Sequence, residues 1–155
     1  MIRFREMSAY VAVKEVFRHK RSWSFLLDFI DCSDEVDETD TGDIQFVYWN
    51  GISLDKNYFT NDSNFFWIAG YDDKNRLCFL QLMHKWSKKH LELVVAQKKY
   101  TSNAENLFRQ LIEHIRKEYP TTTWLSTFPM NDRLKDYYML NGFKEWKKEL
   151  KLELK

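Results

Sequence analysis

His90-Leu91-Glu92-Leu93-Val94-Val95-Ala96-Gln97 is a run of aliphatic and β-branched residues. It leads through Lys98-Lys99-Tyr100-Thr101-Ser102 into a segment of different periodicity. The run reads as a strand. From Asn103 to Tyr119, Ala104, Leu107, Phe108, Leu111, Ile112 and Ile115 form a stripe at helical spacing, which predicts an amphipathic helix. Ser102 and Glu105 have capping-box spacing at its start, and Pro120 follows its end. Thr121 to Phe128 is β-branched and aromatic, hence a second strand. Strand, helix and strand of these lengths make a crossover unit, so the strands 90–97 and 121–128 are expected to be parallel.

Working outward, Phe65 to Tyr71 reads as a strand, Asp72-Asp73-Lys74-Asn75 as a turn, and Arg76 to Lys85 as the returning strand. With Trp86 to Lys89 as a further turn, the three strands form an antiparallel meander. Beyond the crossover, Asn131 or Asp132 caps a short helix that Gly142 ends. Leu150, Leu152 and Leu154 alternate in a last strand with one buried face. The second half of the chain is thus β-β-β-α-β-α-β. Upstream, Met1 to Glu6 suits a first strand. Ser8 to about Ile30 suits one or two helices, with Val11, Val13, Val16, Phe17, Trp23, Leu26, Leu27 and Ile30 at roughly helical spacing. Ile44 to Trp49 has strand composition before the turn signal Asn50-Gly51, and Leu54 to Phe59 suits a short turn or helix.

The 155 residues suffice for one domain with a sizeable core, and 44% hydrophobic with 30% charged residues is a globular composition. A net charge of +1 gives no global case for nucleic acid or membrane binding. The two cysteines, Cys32 and Cys78, make no disulfide framework, and Cys78 reads as a small buried hydrophobe. No apolar run has signal-peptide or membrane-spanning character, so a cytoplasmic location is expected. No His, Cys, Asp or Glu set has metal-ligand spacing, and no glycine-rich nucleotide loop occurs.

The loop Gln97 to Ser102 carries two lysines and two hydroxyls ahead of a helix N-terminus. Free N–H groups there suit a pyrophosphate, although on this loop alone a polar connection before a capped helix is the plainer reading. Two junctions resemble the GNAT superfamily of N-acetyltransferases. The family's phosphate loop, Arg/Gln-x-x-Gly-x-Gly/Ala, is matched by Lys99-Tyr100-Thr101-Ser102-Asn103-Ala104, with Ser102 at the first glycine. The family pattern Asn-x-x-Ala-x-x-Phe-Tyr-x-x-x-Gly-Phe is matched from Asn131 to Phe143, with Leu134 for Ala and Tyr137 for Phe.

That resemblance implies an α/β (α+β) fold of GNAT type: a mixed, mostly antiparallel central sheet flanked by helices. It implies a single domain over 1–155, with 1–63 on the acceptor side and 64–155 binding acetyl-CoA. It further implies an acetyl-CoA-dependent N-acetyltransferase that moves an acetyl group directly to a primary amine. The backbone at Val94 and Ala96 would hold the acetyl and pantetheine portions, with Ala96 where the family commonly has proline. Lys99, Tyr100, Thr101, Ser102, Asn103 and Ala104 would hold the pyrophosphate, and Asn131 the pantetheine arm. Tyr138 matches the general acid. Glu92 or His90, expected on one strand face with Val94, would serve as base. His84, His19 and His114 have no comparable context. Asp31, Asp34, Glu35, Asp37, Glu38, Asp40 and Asp43 form an acidic block that would attract a cationic small-molecule or peptide acceptor, or else be a solvated loop. A catalytically inactive binding module, or an interaction domain dimerising through an exposed C-terminal strand, are the competing readings.

Overall fold

The strands on either side of the crossover helix are parallel neighbours in a computed structural model, which describes residues 1–8, 11–12, 15, 37–38, 44–49, 52–55, 64–98, 104–129 and 131–155. Seven strands make the main sheet: β1 (Arg3–Met7), β5 (Phe65–Tyr71), β6 (Leu77–Lys85), β7 (His90–Lys98), β8 (Trp124–Thr127), β9 (Lys144–Trp146) and β10 (Glu149–Glu153). Their order across the sheet is β1-β5-β6-β7-β8-β10-β9. Only β7 and β8 pair in parallel among the described strands. Two helices belong with this sheet: α1 (Ala104–Glu118) is the crossover and α2 (Asp132–Leu140) follows β8. The short strands β2 (Asp37–Glu38), β3 (Ile44–Trp49) and β4 (Ile52–Asp55) form a separate antiparallel sheet.

The meander follows from local chemistry. The Asp72 carboxylate accepts from the backbone N–H groups of Lys74 and Arg76, both at 2.9 Å, and pairs with the Arg76 side chain. Asn75 takes a positive φ of 61°, which Asn tolerates. At Gly70 the first strand crosses so closely that an added Cβ would lie 2.9 Å from Ile2 Cγ2 and 3.1 Å from Phe79 Cβ. The expected helical stripe is buried: Leu107, Phe108, Leu111, Ile112 and Ile115 pack on Ile68, Met83, Leu91, Leu93, Leu125 and Leu150 from the sheet. Each such side chain contributes about 1.5–3 kcal/mol on burial. This apolar face docks α1 and so sets where its N-terminus lies. Cys78 is also buried, and burial pushes its thiol up to about 11, which leaves it inert.

Several expectations are corrected. The tail is a hairpin rather than one strand, because Lys147 takes a positive φ of 56° and reverses the chain between β9 and β10. The last strand, β10, therefore lies inside the sheet between β8 and β9, so it offers no exposed edge for a homodimer. Residues 52–55 form strand β4, where 54–59 suggested a turn or helix. His114, for which the sequence suggested no context, is half-buried against the Phe4 ring, with centroids 5.1 Å apart.

At the start of the first expected helix, the Ser8 hydroxyl accepts from Val11 N–H at 3.2 Å and the Ser8 carbonyl from Ala12 N–H at 2.9 Å. Apart from Glu15, whose carboxylate accepts from the Tyr71 hydroxyl at 2.8 Å, the rest of that segment, and all of the acidic block except Asp37 and Glu38 in β2, lies outside the described residues. No helix among the described residues is long and apolar enough to cross a membrane.

Candidate active site

The sheet opens between its two parallel strands. Pairing of β7 with β8 runs from His90–Trp124 to Leu93–Thr127, while β7 itself continues to Lys98. On its other side β7 remains paired with β6 throughout, so the two parallel strands part beyond Leu93. The register with β6 shifts there: Met83 faces Leu93, and Leu82 faces Val95. Val94 is thus the extra residue of a β-bulge, a device that bends a strand and re-aims its side chains. The bulge corrects the expected alternation. Without it, Ala96 would share a face with His90 and Glu92. With it, Ala96 lies opposite Gln81 and packs against the α1 side of the sheet.

A cavity of about 420 Å³ fills the space below the opening on that side. The strand face supplies Phe79, Gln81 and Ala96, α1 supplies Leu107 and Phe108, and Asn131, Arg133, Leu134, Tyr137 and Tyr138 come from the α2 segment. The α2 residues are placed by their cap. Asn131 Oδ1 accepts from Leu134 N–H at 2.9 Å, and Gly142, at φ +99°, ends the helix with its N–H on the Met139 carbonyl. Phe108 meets Tyr137 and Tyr138 edge-on, with centroids 5.8 and 5.9 Å away, and fixes both rings.

The Tyr138 hydroxyl lies near the Thr127 side chain. The Thr127 hydroxyl donates to the Leu93 carbonyl at 2.9 Å. Burial pushes the Tyr138 pKa above its usual value, with the nearby Thr127 hydroxyl opposing, so the phenol is protonated at neutral pH.

The opposite face of the sheet carries Glu92 and His90. Glu92 Oε1 accepts from Trp86 Nε1 at 2.8 Å and lies 3.8 Å from His84 Nδ1. His90 stacks on Trp124 with centroids 3.5 Å apart, and its Nε2 is 2.7 Å from Ser126 Oγ. Desolvation first, then the neighbouring His84 and Lys151 charges, push the His90 pKa down to about 4, so the ring is neutral.

The structure therefore brings Val94, Ala96, Asn131 and Tyr138 to the opening or its cavity, and Glu92 and His90 to the other face. Lys99, Tyr100, Thr101, Ser102 and Asn103 lie outside the described residues, and Ala104 is the first residue of α1. Sequence reading missed Gln81, Arg133 and the α1 residues as cavity walls, and His84, Trp86 and Ser126 as neighbours of Glu92 and His90. The pairing of His84 with Glu92 depends on the register of the 86–89 turn, which composition does not specify.

A mostly antiparallel sheet that opens at a bulge between its one parallel pair, over a cavity closed by two helices, defines the class of fold. It is the GNAT fold of N-acetyltransferases. Spermidine/spermine N-acetyltransferase SpeG from Vibrio cholerae is similar over 99% of this chain and 92% of its own, with a TM-score of 0.59 and 11% identity. The PaiA N-acetyltransferase of Thermoplasma acidophilum, solved in complex with coenzyme A, matches 99% of each chain at a TM-score of 0.55 and 11% identity. The Campylobacter jejuni N-acetyltransferase PseH covers 99% of this chain and 97% of its own at 0.55 and 14%. No protein-family model and no curated protein matches the sequence.

Proposed function

We propose that the protein is an acetyl-CoA-dependent N-acetyltransferase that transfers the acetyl group directly to a primary amine. The observation carrying this reading is the opening at bulged Val94, which connects a cavity walled by Tyr138 with a face that holds Glu92. The cavity is apolar along Phe79, Leu107 and Phe108 and polar at Gln81 and Asn131, which fits a slender amide-containing arm. Arg133, exposed at its rim, adds a cation suited to phosphate. The backbone of Val94 and Ala96, which β8 leaves unpaired on that side, supplies the groups to hold the arm. Lys99 to Ala104 are assigned to the pyrophosphate, on the grounds of the loop's lysines, hydroxyls and helix N-terminus.

Bound acetyl-CoA supplies an activated thioester. The acceptor nitrogen forms the new C–N bond as the C–S bond breaks. Glu92 takes the proton lost by the amine, and Tyr138 returns one to the leaving thiolate. His90, neutral and stacked on Trp124, holds Ser126 in place rather than taking the proton. We assign the activity to the cytoplasm, with residues 1–63 on the acceptor side and 64–155 holding acetyl-CoA in one domain.

The test is thermal denaturation with and without acetyl-CoA, followed by turnover on primary amines. A ligand that binds the native state alone must raise the melting temperature. Absence of any shift at millimolar acetyl-CoA sinks the cofactor assignment. A shift without turnover on any amine leaves a binding module and sinks the transfer reaction.

A further inference from the structure

The face of the sheet turned away from α1 holds more than the transfer step uses. Strands β5 to β9 bring six rings into one row. Phe65 stacks on His84 at 4.2 Å, His84 meets Trp86 at 4.3 Å, and Trp86 lies 6.2 Å from His90. His90 stacks on Trp124 at 3.5 Å, and Trp124 meets Trp146 at 5.0 Å. Glu92 stands beside this row, bonded to Trp86.

A second carboxylate reaches the same place from the last strand. Leu150 lies opposite Thr127, and Thr127 opposite Leu93. One residue further, Glu149 occupies the row of Val94, where β8 has ended, and so stands across the opening. Alternation puts its side chain on the face of Lys151, which is paired with Ser126, itself paired with Glu92. Burial and then the Glu92 charge raise the Glu149 pKa, against the effect of Lys147, in keeping with that register.

The rings on this face already accept alkyl ammonium groups. Lys151 Nζ lies 4.4 Å from the Trp124 centroid and Lys147 Nζ 4.7 Å from that of Trp146. Lys151 is also paired with Glu153 at 3.1 Å. Trp86 is 59% exposed, and among the described residues no lysine covers it.

We infer that Glu149 determines acceptor specificity and that the acceptor is a flexible alkyl diamine, one nitrogen presented to Glu92 at the opening and the other retained as an ammonium beside Glu149. This rests on the transferase reading above. Two carboxylates in one partly desolvated opening repel each other. A monoamine neutralises one of them, whereas a diamine neutralises both and lays its methylene chain on the aromatic row. A sugar hydroxyl in place of the second ammonium gains neither.

The experiment is calorimetric titration of the full chain with butane-1,4-diamine and with 4-aminobutan-1-ol, each with and without saturating CoA. The wild type is expected to bind the diamine at least about fivefold more tightly than the amino alcohol. Glu149→Gln should remove that preference while changing amino-alcohol affinity less than about twofold, and Glu149→Asp should retain part of it. Equal affinities in the wild type, or an undiminished preference in folded Glu149→Gln, overturn the inference. Failure of CoA to bind defeats the transferase reading instead, and the amine preference measured on the protein alone still decides the role of Glu149.

Discussion

Thr127 donates its hydroxyl proton to the carbonyl of Leu93 across 2.9 Å, on the last rung that β7 and β8 share. Beyond that rung the strands separate. The bond therefore sits at the apex of the opening, near the Tyr138 hydroxyl. Thr127 is buried, so water cannot replace it.

Thr127→Val keeps the shape and removes the hydroxyl. Loss of a partner for buried polar groups costs about 1–3 kcal/mol, to be read from the urea midpoint at constant slope. The Leu93 carbonyl, at the apex of the opening, loses its side-chain donor. Acetyl transfer should therefore fall further than the stability change alone accounts for, measured at a temperature where the variant is fully folded.

Tyr138→Phe separates chemistry from packing. The ring contacts with Phe108 and Phe143 remain, so the fold should survive with a loss of about 1 kcal/mol. Loss of the general acid should lower kcat about 100-fold or more. Because the Tyr138 pKa is raised, the protonated acid persists above pH 10, and no alkaline loss of rate from this group is expected below that. An unchanged kcat removes Tyr138 from the mechanism.

His90 gives the fold an acid-sensitive limb. Its folded pKa, about 4, lies below the ordinary histidine value of 6.5. Between those two values the unfolded chain binds a proton that the native state does not, so stability rises with pH across the window and falls as pH drops from 6.5 toward 4. His90→Phe keeps a ring against Trp124 and should flatten that slope. Urea midpoints measured from pH 4 to 7 for both proteins check this, and parallel curves would show that the slope comes from other groups.

The difference between what the chain announces and what it conceals has a physical origin. The α1 stripe was legible because its burial obeys one period along one segment, from Leu107 to Ile115. The α2 segment was legible because Asn131 and Gly142 do local jobs, a side-chain cap and a positive φ, that few residues do as well. The bulge at Val94 was not. It depends on how β7 registers against β6, and a single extra residue leaves no mark on composition while it moves Ala96 to the other face. His84 and Glu149 were hidden for the same reason. His84 meets Glu92 across a turn, Glu149 is set on the same face by the register of β10 with β8, and neither relation has a fixed separation in sequence. The turn at Lys147 was hidden because a lysine at positive φ is no turn signal.

The cavity beside Ala96 permits a test that leaves Glu92 and the opposite face of the sheet untouched. Ala96 is half-buried, and its side chain faces about 420 Å³ of space shared with Gln81, Leu107 and Phe108. A phenylalanine there enters that space instead of displacing core residues, so Ala96→Phe should cost the fold less than the usual 1–3 kcal/mol of overpacking, about 1 kcal/mol or less. The same ring occupies the volume assigned to the pantetheine arm. The increase in melting temperature on adding acetyl-CoA should therefore disappear in Ala96→Phe, while the unliganded melting temperature stays within a few degrees of wild type. Glu92, His84 and Glu149 lie on the other face, so diamine binding should persist in the variant. If instead acetyl-CoA still stabilises Ala96→Phe as much as wild type, the arm does not run through this cavity, and its assignment to the α1 side of the opening is wrong.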